Sequence, residues 1–275
     1  MYLWRKTAEI NWVEEHQDDL QAHAKGHLVI VTKPGRKRLQ LEIVCRSRAD
    51  WSALLNEFGG RVKVLPRNWR EQLVRPDSKP IKIGKRMLIS NMEGTSVSRS
   101  SRQKGRSRII IPASLAFGTG EHATTAMSLR FLEQLTRCWN PGWSLVDLGT
   151  GSGILSLAGK DFGADRVIGI DHDPTAISVA KSNARLNKIR GITFQLGDAR
   201  KWRSAQATDL ITANLYSDLL IEILPKLGRT RWLILSGLLR SQRDELVCAL
   251  QRVHYDVISM KRRGKWMALL ARRSR

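Results

Sequence analysis

The sequence predicts two domains, a small α+β domain followed by a larger α/β domain with a doubly wound parallel sheet. Three observations support this prediction. Residues 1–66 show strand and helix patterns in the order β-α-β-β-α-β. Residues 67–108 are basic and become poor in apolar side chains. Residues 109–275 contain short apolar runs separated by helical stretches, a spacing typical of a parallel sheet.

The first 66 residues alternate between two periodicities. Leu39, Leu41 and Ile43 alternate with polar residues as in a half-buried strand, whereas Trp51 and Phe58 lie on one face of a helix. The predicted elements are, in order, strand 2–8, a helix capped by Asn11 and ended by Gly26, strand 28–32, the turn Pro34-Gly35, strand 39–45, a helix from Trp51 to Phe58, and strand 61–65. This order is the split pattern of a ferredoxin-like domain.

The segment 67–108 differs in composition from its neighbours. Residues 96–108 read SVSRSSRQKGRSR and are nearly devoid of apolar side chains. We therefore expect a basic linker or exposed loop over 67–108. Contact with RNA phosphates and simple flexibility both account for such a composition.

The rest of the chain, residues 109–275, predicts the α/β domain. Its predicted strands are Ser144 to Leu148, Val167 to Asp171, Ile192 to Leu196, Leu210 to Ala213, Trp232 to Ser236, and a last strand from Lys265 to Ala271. Helical stretches separate most of these runs, as expected for a doubly wound sheet.

Composition and charge exclude several classes of protein. The 275 residues are 42% hydrophobic and 26% charged, and no apolar run approaches the ~18 residues of a membrane span. Three scattered cysteines favour neither a disulfide framework nor a zinc site, so we expect a cytoplasmic protein without a metal. The net charge of +22 is uneven: residues 61–111 carry 14 basic and 3 acidic side chains, and residues 261–275 carry 7 basic and none acidic.

The main chemical signal is the sequence VDLGTGSGIL. Gly149 and Gly151 follow a predicted strand, and Asp171 ends the next strand. A glycine turn allows close approach of a ligand, and a carboxylate at the second strand end can accept hydrogen bonds from ribose hydroxyls. The dinucleotide fingerprint requires a third glycine at position 154, which is Ile154 here. The pattern G-x-G-x-G is instead typical of S-adenosylmethionine-dependent methyltransferases, with other nucleotide binders as the alternative.

Two further strand ends carry polar side chains. Asp198 follows the third strand, where its carboxylate could accept from an adenine amino group or cap a helix. Asn214 ends the fourth strand, at the position that faces the transferred methyl group in this type of fold. Its amide oxygen could orient an amine nucleophile, which would be catalysis by positioning. The alternative for Asn214 is a turn-forming asparagine.

A glycine-rich loop, AFGTGEHATT, precedes the sheet. Phe117 offers an aromatic face, Gly118 offers mobility and Thr125 a hydroxyl, so the loop is expected to cover a cofactor. His122 lacks a second histidine at metal-ligand spacing, and both a base and a plain loop residue remain open for it.

Together, the loop AFGTGEHATT, the glycine loop and TANLYSDLL resemble the PrmA family, methyltransferases of ribosomal protein L11. The resemblance is close over about residues 109–240. It implies that an N-terminal domain recognises the protein substrate and that the C-terminal domain methylates amino groups. It places cofactor-binding positions at Thr125, Gly149, Asp171 and Asn214, and Phe117 and the loop glycines match the loop that closes over the cofactor.

We therefore expect an S-adenosylmethionine-dependent N-methyltransferase that modifies lysine or N-terminal amines of a ribosomal protein. The expected protein is a cytoplasmic monomer that binds no membrane. The basic segments 61–111 and 261–275 are candidates for contact with ribosomal RNA or the ribosome, and a solvated basic surface is the alternative. The alternatives are an RNA methyltransferase and a ribosome-binding protein of the same fold without activity.

Overall fold

The structure of the chain is a computed structural model. It describes residues 1–24, 28–31, 38–66, 80–91, 106–112, 117–118, 120–203, 206–228 and 230–274. The chain forms two compact units, Met1–Leu73 and Val74–Arg275. No helix in the described ranges is long and apolar enough to cross a membrane.

The first unit is a four-stranded antiparallel sheet with helices on one face. Its elements are β1 (Tyr2–Glu9), α1 (Ile10–Glu15), α2 (Gln17–Ala24), β2 (Leu28–Val31), β3 (Arg38–Cys45), α3 (Arg48–Phe58) and β4 (Arg61–Val64). The strand order is β2-β3-β1-β4, and every neighbouring pair is antiparallel. The predicted β-α-β-β-α-β order is therefore confirmed.

The helix caps of this unit differ from the sequence prediction. The first helix begins at Ile10 directly after β1, so Asn11 lies inside the first turn and is not the cap. A break at His16 divides the predicted single helix into α1 and α2. Helix α3 has a full capping box in which Ser47 accepts from Asp50 N, and the Asp50 carboxylate accepts from Ser47 N. The predicted helix end at Gly26 and the turn Pro34-Gly35 lie outside the described residues.

The core of the first unit lies between the sheet and these helices. Alternate residues of β1 and β3 point toward the helices, among them Trp4, Leu41 and Ile43, and all three are buried. The helices supply Leu20 and Leu54 to the same cluster. The alternation read from the sequence thus identifies the buried face of the sheet.

The second unit contains a seven-stranded sheet. Its strands are β8 (Trp143–Leu148), β9 (Ala164–Asp171), β10 (Ile192–Leu196), β11 (Thr208–Asn214), β12 (Thr230–Leu239), β13 (Tyr255–Arg263) and β14 (Trp266–Arg273). Its helices are α4 (Ala123–Thr136), α5 (Ile154–Asp161), α6 (Pro174–Leu186), α7 (Ser217–Ile223) and α8 (Arg243–Arg252). The strand order is β10-β9-β8-β11-β12-β14-β13.

Five neighbouring strands of this sheet, β10, β9, β8, β11 and β12, are parallel. At one edge, β14 pairs antiparallel with β12, and β13 pairs antiparallel with β14. The order reverses between β8 and β11, so their carboxyl ends border the crevice in which ligands of open α/β sheets bind. Strand β13 was not predicted from the sequence. Its residues are largely exposed or half-buried at the sheet edge, so it shows no apolar run.

A third sheet lies within the segment predicted as a linker. Strands β5 (Ile81–Ile83) and β6 (Met87–Ser90) pair antiparallel, and β7 (Ser107–Ile110) pairs parallel with β6. The linker prediction for 67–108 is therefore wrong for these strands. Ile83, Met87, Ile89 and Ile109 belong to the same core cluster as the main sheet, and that burial outweighs the basic composition around them.

A buried carboxylate ties this small sheet to helix α4. Glu133 is fully buried and pairs with Arg137 Nη2 at 2.8 Å and with Arg86 Nε at 3.6 Å. Arg86 also donates to Glu133 O and to Thr136 Oγ1 at 2.7 and 2.6 Å. Burial alone would raise the pKa of Glu133, but the hydrogen bonds and the two guanidinium charges lower it overall. A buried carboxylate with these partners is stably ionised.

Candidate active site

The glycine loop lies at the carboxyl end of β8. Gly149 N and Thr150 N both donate to Ile170 O of β9, at 2.8 and 2.9 Å. Gly149, Gly151 and Gly153 have φ values of +72°, +53° and +80°. These left-handed conformations let the chain turn sharply between β8 and α5, which starts at Ile154.

Gly151 also permits a close approach of two backbone segments. A Cβ atom at this position would lie 2.5 Å from Phe117 O. Phe117 O accepts from Ser152 N at 2.9 Å, and Gly118 O accepts from Ser152 Oγ at 2.5 Å. The two predicted loops, one around Phe117 and one around Gly151, are therefore packed against each other by backbone contacts.

Asp147 supports the glycine loop from below. It is fully buried, and its carboxylate accepts from Thr150 Oγ1 at 2.7 Å, Ser156 Oγ at 2.9 Å and Thr212 Oγ1 at 2.7 Å. Burial raises the pKa of the Asp147 carboxyl, and the hydroxyl donors offset only part of that shift. The three donors connect β8, α5 and β11, so Asp147 fixes the geometry of the loop without reaching solvent.

Asp171 is the second strand-end carboxylate, and it lies closer to the surface. Its Oδ2 accepts from Gly151 N at 2.9 Å and its Oδ1 from Asp173 N at 3.1 Å. Each carboxylate oxygen can accept a further bond. The structure thus places Asp171 beside the glycine loop, with lone pairs of its carboxylate left for further donors.

Asp198 follows β10 and makes a local turn. Its Oδ1 accepts from Arg200 N at 2.8 Å, and the Arg200 guanidinium lies 3.8 Å away. Lys201 N donates to Asp198 O at 3.0 Å. Residues 199–201 form a turn and not a helix, so the alternative of a helix cap at Asp198 is wrong. These contacts use only one oxygen of the Asp198 carboxylate.

Asn214 ends β11 and contacts two elements. Its Nδ2 lies 3.4 Å from Thr125 Oγ1 of α4, and its Oδ1 accepts from Ser236 Oγ of β12 at 3.0 Å. Ser236 Oγ also lies 2.7 Å from Ser128 Oγ. A hydroxyl carries one hydrogen, so when Ser236 donates to Asn214, Ser128 donates to Ser236. This series of hydrogen bonds fixes which way the amide of Asn214 faces.

Sequence analysis missed Ser236, Ser128 and Gly237. Ser236 and Ser128 are buried, and in the sheet Ser236 is directly paired with Asn214. Gly237 has a φ of +96°, and a Cβ there would lie 2.2 Å from Leu215 O. The signal in the sequence was a polar residue, Ser236, in the strand that pairs with the strand of Asn214. That signal could be used only by knowing that the two strands are neighbours in the sheet.

Three aromatic rings contact one another at the start of α4. The His122 ring makes edge contacts with Phe117 and Trp266, with ring centroids 5.1 Å apart in both cases. His122 Nδ1 accepts from Thr124 N at 3.4 Å and lies 2.8 Å from Thr124 Oγ1, so His122 is the N-cap of α4. Burial, followed by the charges of Arg263 and Lys265, lowers the pKa of His122. His122 is therefore a neutral cap at neutral pH.

Exposed apolar side chains follow the strand ends at this edge. Phe117, Leu196 and Tyr216 are 55%, 62% and 76% exposed. Leu196 ends β10, and Tyr216 lies two residues after Asn214. Apolar and aromatic side chains with a few polar groups among them are typical of the lining of small-molecule sites. In the described part of the chain, no group of three or more His, Cys, Asp or Glu could hold a metal ion.

Comparisons with known proteins agree with this geometry. Residues 49–274 match the model of a family described as ribosomal protein L11 methyltransferase (PrmA). The chain is 34% identical over 199 residues to the ribosomal protein L11 methyltransferase of Pelotomaculum thermopropionicum, covering 70% of this chain and 62% of that protein. It is 30% identical over 237 residues to the protein of the same description from Carboxydothermus hydrogenoformans, covering 81% and 75%.

A solved structure is also similar. The crystal structure of the ribosomal protein L11 methylase from Lactobacillus delbrueckii subsp. bulgaricus has a TM-score of 0.62 and 26% sequence identity. The match covers 72% of this chain and 100% of that one. The chain spans only about 62% of the length of the first curated relatives it matches.

Proposed function

The chain belongs to the ribosomal protein L11 methyltransferase (PrmA) family, and on this premise we propose that it is an S-adenosylmethionine-dependent N-methyltransferase of ribosomal protein L11. The observation that carries the proposal is the convergence of three predicted residues at one sheet edge. Asp171 contacts the glycine loop, and Asn214 contacts Thr125 in the first turn of α4. One edge of the sheet thus combines the Asp171 carboxylate, which could accept from ribose hydroxyls, with the Asn214 amide beside the Thr125 hydroxyl.

The residues present at this edge fit the cofactor. Asp171 would accept from the ribose hydroxyls, and the glycine loop around Gly149 and Gly151 would border the methionyl part. Leu196 would border the adenine ring and Asp198 would accept from its amino group, and Phe117 and Gly118 would cover the site. When bound, S-adenosylmethionine supplies a methyl group on a positively charged sulfur, which is open to attack by an amine.

Asn214 would act by positioning the substrate amine. Its Oδ1 has a second lone pair beside the bond from Ser236, and that lone pair can accept from an amine N–H. Because Ser236 and Thr125 hold the amide, the amine nitrogen would be oriented at little entropic cost. Covering the site by the loop around Phe117 would exclude water.

The attacking amine must be neutral. A lysine has an ordinary pKa of about 10.4 and an N-terminal amine about 7.7–8.0, so the N-terminal amine needs less assistance to lose its proton. The cap hydrogen bond with Thr124 already occupies His122 Nδ1, and an imidazole with its hydrogen on Nε2 cannot accept a proton there. We infer that the proton leaves to solvent before the amine enters, for lysine and N-terminal substrates alike.

The partners of the reaction follow from the same proposal. The enzyme would act as a cytoplasmic monomer without a membrane partner, and basic segments 61–111 and 261–275 would contact ribosomal RNA beside the protein substrate. The same positive charge favours an RNA methyltransferase as the second candidate function. Both candidates use the same cofactor site and differ only in the acceptor.

Transfer of a radiolabelled methyl group separates the candidates. Free ribosomal protein L11, intact ribosomes and bare ribosomal RNA are incubated side by side with wild type, Asn214→Ala and the surface control Ser182→Ala. Label in L11 that is lost only in Asn214→Ala supports the proposal. Label in the RNA would replace it with the second candidate. Cofactor binding without label in any acceptor would contradict both.

A further inference from the structure

Ser152 joins the glycine loop to Phe117 and Gly118. Ser152 is fully buried, its N donates to Phe117 O at 2.9 Å, and its Oγ donates to Gly118 O at 2.5 Å. Both acceptors are backbone carbonyls, and they belong to consecutive residues. One serine of the glycine loop therefore fixes the path of the backbone that carries the Phe117 ring.

The Phe117 side chain is exposed but held in place. It is 55% exposed, and its ring lies edge-on to the His122 ring, with the centroids 5.1 Å apart. The backbone behind the ring is packed so closely that a Cβ at Gly151 would lie 2.5 Å from Phe117 O. An exposed ring that is held at its backbone and at its edge has already lost much of the freedom that ligand binding would remove.

Helix α6 and the residue after it hold Ser152 and the end of β7. Asn183 is buried, and its Nδ2 donates to Ser152 O at 2.8 Å. One turn later, Asn187 Nδ2 donates to Ile110 O at 2.7 Å, and Asn187 Oδ1 accepts from Ile110 N at 2.6 Å. Ser152 thus uses its N–H, its hydroxyl and its carbonyl in hydrogen bonds to two different segments. It cannot move without breaking bonds on both sides.

We propose that Ser152 is a positioning residue that holds the Phe117 ring at the cofactor site before the cofactor binds. This inference rests on the proposed function for the identity of the cofactor. The ring would belong to a wall that is already formed in the free protein, so cofactor binding would not have to order it. Such preorganisation raises affinity, because the entropy of ordering the ring is lost on folding and not on binding.

A double-mutant cycle measures whether Ser152 acts through Phe117. The probe is S-adenosylhomocysteine, and its affinity for the full chain is measured by calorimetry. Ser152→Ala removes the hydroxyl bond to Gly118 O and should weaken binding about fivefold. In the background of Phe117→Ala, the same substitution should weaken binding by less than about twofold, because the ring that Ser152 positions is gone.

The matched control is Ser144→Ala. Ser144 is also buried, and its Oγ donates to Asp209 Oδ2 at 2.8 Å, at the end of β8 opposite the glycine loop. This variant loses a buried hydroxyl bond away from the site, so its affinity should stay within about twofold of wild type. A fivefold loss from Ser152→Ala in both backgrounds would overturn the proposal, and so would an equal loss in Ser144→Ala. Wild-type affinity in Ser152→Ala would overturn it as well.

Fluorine NMR tests the position of the ring without any cofactor. The five phenylalanines are replaced by 4-fluorophenylalanine, and the Phe117 signal is identified by its loss in Phe117→Leu. Contact with the His122 ring should shift this signal away from its position in an unfolded chain. Ser152→Ala should move the signal back toward that position, and Ser144→Ala should leave it unchanged.

Two results of the NMR measurement would contradict the proposal. One is a Phe117 signal that Ser152→Ala does not change. The other is a signal that leaves its unfolded-chain position only when S-adenosylhomocysteine is added. If wild type binds no S-adenosylhomocysteine while the Phe117 signal still depends on Ser152, the proposed function fails and the positioning of the ring remains.

Discussion

The two compact units of the chain bury different kinds of side chain. In Met1–Leu73, every residue described as buried is hydrophobic. Among the described residues of Val74–Arg275, 18 polar or charged residues are buried, including Asp147, Asp171 and Ser236. A buried polar group is unfavourable unless it is hydrogen-bonded. The second unit therefore contains buried polar groups that need hydrogen-bond partners at the right distance and angle. Many of these groups lie at the edge of the sheet where the parallel strands end.

The difference shows where each unit can have a function. The described core of the first unit is held by apolar packing, and no buried polar group marks a binding site among its described residues. In the second unit, hydrogen bonds hold backbone and side-chain atoms at the strand ends at fixed distances. A site that must orient reacting groups needs such fixed distances. Substitutions should therefore affect stability in the first unit and ligand binding or rate in the second.

The largest expected effect is on the packing of the first unit. Leu41 is fully buried in β3, and Leu41→Ala should destabilise this unit by about 2–5 kcal/mol. Hydrogen exchange of peptides from residues 1–66 measures the change. The control Val29→Ala, at a residue 52% exposed on β2, should cost less than about 0.5 kcal/mol. A fall in the affinity for S-adenosylmethionine in Leu41→Ala would contradict the claim that substitutions in the first unit affect only its stability.

A smaller effect is expected at the glycine loop. Gly151→Ala places a Cβ 2.5 Å from Phe117 O at a φ of +53°, so the two loops must separate. Affinity for S-adenosylmethionine, measured by calorimetry, should fall about 100-fold, or about 3 kcal/mol. Gly228→Ala is the control, because a Cβ there meets nothing within 4 Å. If circular dichroism shows both variants folded and their affinities agree, the loop is not part of the cofactor site.

Support for Asn214 should matter less than Asn214 itself. Ser236→Ala removes the donor to Asn214 Oδ1, so the amide loses its fixed orientation. We expect the rate of transfer to fall about tenfold, or about 1.4 kcal/mol, with unchanged cofactor affinity. Ser182→Ala serves as control because its hydroxyl bonds only within α6. A wild-type rate in Ser236→Ala would show that the amide needs no such support.

The smallest expected effect is electrostatic. Burial and then Arg263 and Lys265 lower the pKa of His122 below its ordinary value of 6.5. Arg263→Gln should therefore raise the pKa of His122 toward its ordinary value, because one of the two neighbouring positive charges is lost. An NMR titration of the His122 ring measures the change, with Lys181→Gln as the control. An unchanged pKa in Arg263→Gln would show that the turn between β13 and β14 does not act on His122.

Sequence patterns predicted those features that depend on neighbouring residues. The strand β8, the turn at Gly149 and the carboxylate of Asp171 are local in the chain, and each follows from a repeat or a spacing. The first unit was predicted from strand alternation, helical spacing and turn residues, because packing needs only the right face of each element to be apolar. The structure departs from that prediction mainly at helix boundaries, such as the start of α1 at Ile10.

Features that depend on the order of the strands in the sheet could not be predicted from the sequence. Ser128 and Ser236 are 108 residues apart in the chain and meet only because α4 packs against β12. Strand β13 forms at an edge where few of its side chains are buried, so no apolar run marks it. Strands β5 to β7 are short and lie among basic residues, and tertiary burial decides their structure.

The most direct test of the account is a pair of measurements on Asp171→Ala and Asn214→Ala. For each variant, the affinity for S-adenosylmethionine is measured by calorimetry and the rate of methyl transfer to L11 in a single turnover at saturating cofactor. We predict that Asp171→Ala weakens binding more than tenfold, because ribose acceptors are lost. Asn214→Ala should instead slow transfer far more than it weakens binding. If the two variants have the same affinity for S-adenosylmethionine and the same rate of methyl transfer as each other, the assignment of this sheet edge as the active site is contradicted.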